Sequence, residues 1–115
     1  MKNTYKLKMT KKLLSEWKLR ESSLEYCAHL SNLADLPEEK AKNVKQRLLH
    51  ESRTFQTLEN AIRLLTPIER RVIDLHYRKE HSFEDIEIIC RIARSSIYRH
   101  HARALEKIAL VLFGE

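Results

Sequence analysis

The chain of 115 residues has one glycine, at position 114, and only two prolines, Pro37 and Pro67. Tight β-hairpins turn on Gly, Asn-Gly or Asp-Gly, and no Asn-Gly, Asp-Gly or Gly-Gly pair occurs anywhere. Turn chemistry therefore speaks against a sheet-based fold, and the expectation is an all-α protein. The same scarcity leaves no Gly-rich loop to cradle a nucleotide. Cysteine is scarce too. Cys27 and Cys90 stand alone without a Cys-x-x-Cys pair, which fits a reducing compartment and small core or surface thiols. No unbroken apolar run follows the Lys-rich start, so neither export nor a membrane span is expected and the expected location is the cytoplasm.

What the chain does have is charge, unevenly placed. The net charge is +6 and the pI near 9.5. Residues 1–21 carry Lys2, Lys6, Lys8, Lys11, Lys12, Lys18 and Arg20 against Glu16 and Glu21. Residues 91–107 carry Arg91, Arg94, Arg99, Arg103 and Lys107 against Glu106 alone, and the rest is net acidic. Basicity gathered into patches suggests a polyanionic partner, although a basic face can also be merely solvated.

Helical periodicity organises the chain. Residues 1–10 show none and read as a mobile basic arm. From about Thr10 to Ala34, Leu13, Trp17, Leu24, Cys27, Ala28, Leu30 and Ala34 recur at helical intervals. Pro37 followed by Glu38 and Glu39 marks a new helix start, with acids near the positive end of the helix dipole. The next apolar positions are Ala41, Val44, Leu48, Phe55, Leu58, Ile62 and Leu65. They alternate three and four apart, except where Glu51 takes a seam position. Residues 11–65 are thus expected to form a helical hairpin, a coiled-coil homodimer, or both.

Residues 66–115 read as three helices. Thr66, Pro67 and Glu69 compose a capping box with proline at the first helical position, and Ser82 with Asp85 repeats the device. Ile68, Val72, Leu75 and His76 line the inward stripe of the first helix, and Phe83, Ile86 and Ile89 or Cys90 that of the second. After a break near Arg91-Ile92 the last helix starts at Ala93 or Arg94 and runs to about Leu112. Its inward residues are Ile97, His101, Ala104, Leu105, Ile108 and Leu112. A short helix, a tight turn and a longer basic helix make the skeleton of a helix-turn-helix.

In such a motif the N-terminal part of the second helix enters the major groove of double-stranded DNA. Arg94, Ser95, Tyr98 and Arg99 are then the expected base readers, because Arg can bond guanine bidentately, Ser can donate or accept, and Tyr can touch a thymine methyl. Arg91, Ser96, His100, Arg103 and Lys107 are the expected backbone contacts. The small Ala102 lets the helix approach closely. Adjacent helical residues point about 100° apart, so His100 and His101 do not make a metal pair, which needs i,i+3 or i,i+4 spacing. His101 is expected on the inner edge. No nucleophile–base pair is indicated, so neither an enzyme nor a metal or other cofactor is expected.

The stretch from Leu65 to Ile108 resembles the fourth region of bacterial sigma factors and the regulators that share it. The resemblance lies in Leu65-Thr66-Pro67-x-Glu69-Arg70, Val72-Ile73, Leu75-x-Tyr77 and Ser82-Phe83-Glu84-Asp85-Ile86. It continues through Ile97, Tyr98-Arg99 and Arg103-Ala104-Leu105-x-Lys107. The overall layout and the ending "ALEKIALVLFGE" resemble small phage and prophage transcriptional regulators of the RinA/ArpU type, which control late, packaging or lysis genes. This resemblance implies promoter-proximal DNA binding, admits a contact with RNA polymerase, and places Arg94, Ser95, Tyr98 and Arg99 on base-reading positions. Two residues depart from the pattern. Arg91 stands where the turn usually has glycine, so it must either adopt a left-handed conformation or belong to a reshaped turn. Ala93 stands where Ser or Thr usually caps the recognition helix, at a cost of about 1 kcal/mol, and Ser95 or Ser96 could instead cap a later start.

Four functions compete on these grounds. The leading one is a dimeric, sequence-specific transcriptional regulator. A sigma-like polymerase subunit is second, although the chain has room for the −35 contact alone and not for promoter melting. A DNA-packaging component such as a small terminase subunit also joins this motif to oligomerising helices. A protein-binding helical adaptor would bind no DNA.

Overall fold

The computed structural model describes residues 2–22, 25 and 37–114, and among them there is helix and no strand. Helix α1 spans Lys2–Ser15, and residues 17–22 are again helical after a turn at Glu16. Helix α2 spans Glu38–Arg63, with Pro37 at its N-cap and Glu38 and Glu39 in its first turn. Helix α3, Pro67–Ile73, runs on into a wider π-helical turn over Asp74–Arg78. Helix α4 is Phe83–Cys90 and helix α5 is Arg94–Phe113. No helix among the described residues is long and apolar enough to cross a membrane.

Residues 2–10 of the expected arm are instead the first part of α1. Its inward side is Leu7, Thr10 and Leu14, continued by Trp17 beyond the turn, a helical spacing in which a polar residue holds one place. Thr10 is fully buried and its hydroxyl donates to the Lys6 carbonyl at 2.8 Å, which satisfies it without leaving the helix. Leu14 rather than Leu13 is the buried leucine, and Leu13 is half-buried. The positions Leu24, Cys27, Ala28, Leu30 and Ala34 lie outside the described residues, as do the side chains of Leu48 and Glu51.

Among the described residues, two apolar clusters hold the fold. The larger joins Leu14 and Trp17, then Leu58, Ala61 and Ile62 of α2 with Leu65 just beyond it, then Ile73, and Ala104, Leu105 and Ile108 of α5. The Trp17 indole N–H donates to Glu59 of α2 at 3.0 Å, so this buried ring keeps a partner for its one polar atom. The smaller cluster is Val72, Leu75, Ile86 and Ile97, closed by Phe83, Cys90 and Ile92. Helix α5 contributes to both, and its buried residues Ile97, His101, Ala104, Leu105 and Ile108 follow the expected stripe, with Leu112 half-buried. In α3 and the turn after it, Val72, Ile73 and Leu75 are buried while Ile68 and His76 are half-buried. In α4 only Ile86 is fully buried; Cys90 is half-buried and Ile89 is exposed.

Both expected capping boxes form. The Thr66 hydroxyl accepts from the Glu69 N–H, and the Glu69 carboxylate accepts from the Thr66 N–H at 3.0 Å. Ser82 and Asp85 make the same exchange. Each box satisfies two N–H groups that a bare helix start leaves open, so α3 and α4 have defined first residues and a defined direction. Gly114, the chain's one glycine, ends α5 at φ 70, with its N–H on the Leu110 carbonyl.

Candidate nucleic-acid interface

Helix α4 ends at Arg91, which takes the left-handed conformation at φ 57, ψ 42. Of the two outcomes open to a non-glycine residue here, the chain takes the strained one. Ile92 and Ala93 complete a three-residue turn. Ala93 is extended at φ −63, ψ 145, and α5 starts at Arg94 with no side-chain cap. The carbonyl of Ala93 already accepts from Ser96 and Ile97, so neither Ser95 nor Ser96 caps a later start. Ile97 is fully buried between α3 and α4, and this fixes the rotation of α5 about its axis.

That rotation sends Arg94, Ser95, Tyr98, Arg99 and Ala102 outward together, all of them exposed. Arg91 and Arg103 are exposed beside them, whereas Ser96 and His100 are half-buried on one flank. Three contacts hold the outward side chains. The Arg94 Nε–H donates to Glu87 of α4 at 3.1 Å. Arg99 donates to the Ser96 hydroxyl at 3.2 Å. The Tyr98 ring lies 4.9 Å from that of Phe83, tilted by 53°, and remains half exposed. Lys107 also has a partner. Its ammonium sits 2.7 Å from Glu69, a carboxylate 3% exposed, so the pair brings no net charge to a phosphate.

Burial pushes the Glu69 carboxyl upward. Its hydrogen bonds from Lys107 and Thr66, with the Lys107 charge, outweigh this and hold it below the usual carboxylate value. Glu69 therefore caps α3 and pins α5 at once.

Behind the outward face lies a ring cluster. The π-helical turn carries the consecutive His76 and Tyr77 toward α5. His76 stacks on Phe83 at 4.2 Å, and Tyr77 stacks on His101 at 5.6 Å. The Tyr77 hydroxyl lies 2.6 Å from His101 Nε2. Burial, then the charges of His76 and Lys11, push His101 down to about 4, while burial pushes Tyr77 up to about 12. Both shifts favour the neutral forms near neutral pH, so the phenol donates and Nε2 accepts. His101 is the satisfied inner-edge residue that its position implied. Among the described residues no three His, Cys, Asp or Glu side chains are grouped to hold a metal ion.

Sequence reasoning found the outward residues and missed what holds them. The sequence alone gives Glu87, Glu69 and Tyr77 no part in the site. The helical register that relates residues within α5 breaks at the turn, so no spacing rule connects Glu87 to Arg94. Only the Glu69–Lys107 pair carried a signal, as opposite charges at ends of the module that a helix-turn-helix brings together.

No curated protein and no solved structure matches the chain. Residues 55–108, from the last turns of α2 through the outward face of α5, match the family model described as Sigma-70, region 4. The match supports a DNA-binding, regulatory role for this part of the chain.

Proposed function

We propose that the protein is a sequence-specific regulator of transcription that reads the major groove of double-stranded DNA with the first turns of α5. The observation that carries this reading is the exposed set Arg94, Ser95, Tyr98 and Arg99, held on one side of a helix by the buried Ile97. These are the side chains that can bond base edges, and they occupy the part of the helix that enters a groove. Arg91, Ser96, His100 and Arg103 surround them as phosphate contacts. Lys107 contributes less, because its charge is matched by Glu69. No catalytic step and no cofactor enters this reading.

The finer identity we propose is a phage or prophage regulator of late, packaging or lysis genes, supported by the resemblance in layout to the RinA/ArpU type. A homodimer through residues 11–65 is part of the proposal, supported by the heptad spacing of Ala41, Val44 and Leu48 in the sequence, whereas Leu58, Ile62 and Leu65 are already buried in the chain's own core. Its half-sites would lie about 10 bp apart, or a multiple of that. A contact with RNA polymerase is proposed on the resemblance alone.

The test is fluorescence anisotropy with specific and random duplexes over a range of salt. Four to six phosphate contacts predict a slope of log K on log salt of about −4 to −5. Arg94→Ala and Arg99→Ala are expected to cost roughly 1–3 kcal/mol on the specific site and little on random DNA, whereas Arg103→Ala weakens both equally. Equal losses on both duplexes for all three variants would defeat the assignment of readers.

A further inference from the structure

The tie between Glu87 and Arg94 crosses the turn of the motif and joins the scaffold helix to the first residue of the outward helix. Its geometry is particular. Arg94 Nε, not a terminal nitrogen, meets the Glu87 carboxylate at 3.1 Å. A guanidinium has five N–H donors in a rigid fork. Using Nε leaves the four terminal N–H donors at the far end for another acceptor, and it fixes the plane in which they lie. Both side chains are partly exposed, 48% for Arg94 and 39% for Glu87, so the fork stands at the surface and is not buried by its partner.

The local electrostatics make this arrangement more than incidental. Arg94 is the first residue of α5, where the helix dipole is positive and a cation is unfavourable, and Ala93 supplies no cap. The Glu87 carboxylate offsets that repulsion. It also repels phosphate from this spot, so an arginine held here is biased away from the DNA backbone and toward a base edge.

We propose that Glu87 is a positioning residue that sets base specificity: it holds Arg94 by Nε so that the terminal nitrogens read one guanine end-on. This rests on the reading of α5 as the DNA-reading helix. Without Glu87 the arginine regains its rotamers and reaches phosphates. Discrimination at one base pair then falls, while affinity for DNA in general holds or rises.

The experiment is selection of bound sequences from random duplex DNA by the full chain, as wild type, Glu87→Gln, Glu87→Ala and Arg94→Ala. Single-base-substituted duplexes are then titrated at two salt concentrations. A bidentate arginine–guanine pair gives about 5- to 160-fold discrimination at its position. Arg94→Ala should abolish the preference at that one position. Glu87→Ala should lower it there by about 2- to 10-fold, the cost of ordering one long side chain. Other positions should stay unchanged, and random-duplex binding should be equal or tighter, with a salt slope steeper by up to about 0.9. Glu87→Gln keeps an oxygen acceptor and should lose less.

An unchanged preference in Glu87→Ala overturns the proposal, and so does a loss spread evenly over all positions, which is what a merely stabilising surface pair would produce. A wild type that selects no motif overturns the DNA-reading assignment itself and this inference with it. The two failures are therefore read from different proteins in the same experiment.

Discussion

Among the described residues, two that bear side chains hold left-handed backbone, Glu80 at φ 59 and Arg91 at φ 57. This conformation costs an L-residue roughly 1–2 kcal/mol, and glycine avoids the cost but loses more chain entropy on folding. Glu80→Gly and Arg91→Gly are each expected to raise stability by about 0.5–1 kcal/mol, seen as a higher urea midpoint. They should part company on DNA. Arg91→Gly removes a cation from the outward face and should weaken all duplexes alike, and Glu80→Gly should not. A second residue-scale prediction concerns His101, whose folded value lies near 4 against an ordinary 6.5. Between these values the unfolded chain binds more protons than the folded one. The stabilisation is therefore complete above pH 6.5 and is lost as pH falls toward 4. The loss is on the order of 3 kcal/mol. Urea unfolding of wild type and His101→Gln at pH 7 and pH 4 checks it. The variant removes the titrating ring and keeps an acceptor for Tyr77, so it should lose less stability between the two pH values.

At the scale of the element, local chemistry decides what could be read in advance. The starts of α3 and α4 were legible because a capping box is a contact between residues three apart in sequence. The extent of α1 was not, because Thr10 holds a core position with a polar side chain and hides the period from an apolar count. The π-helical turn was not legible either. Its gain comes from rings in α4 and α5, through the His76–Phe83 and Tyr77–His101 stacks. The uncapped start of α5 offers a direct test. Ala93 already has the extended backbone of an N-cap, so Ala93→Ser should add about 0.5–1 kcal/mol, measured by urea or thermal unfolding, without altering the DNA preference. The far tie of the same helix can be cut by Lys107→Met, which leaves the buried Glu69 carboxylate without its cation. Because Lys107 is 45% exposed, the discounted cost is roughly 1–2 kcal/mol. The salt slope of DNA binding should barely change, since an ammonium held by Glu69 neutralises no phosphate.

At the scale of the whole molecule, α5, like α3, belongs to both apolar clusters. Its first turns close the small cluster with Ile97, and its later turns, at Ala104, Leu105 and Ile108, meet α1 and α2. The outward face is therefore carried on a helix clamped along most of its length, and the reading residues need little ordering on contact with a ligand. The inward stripe of α5 was legible because it is long and periodic. The larger cluster, which spans the division expected at residue 65, was not, because long-range packing leaves no spacing in the sequence. Selection of bound sequences from random duplex DNA by the wild-type chain at physiological salt tests the central claim most directly. The expected result is a sharp motif whose information is lost position by position in Arg94→Ala and Arg99→Ala. Binding that shows no sequence preference, or no binding even at low salt, would contradict it.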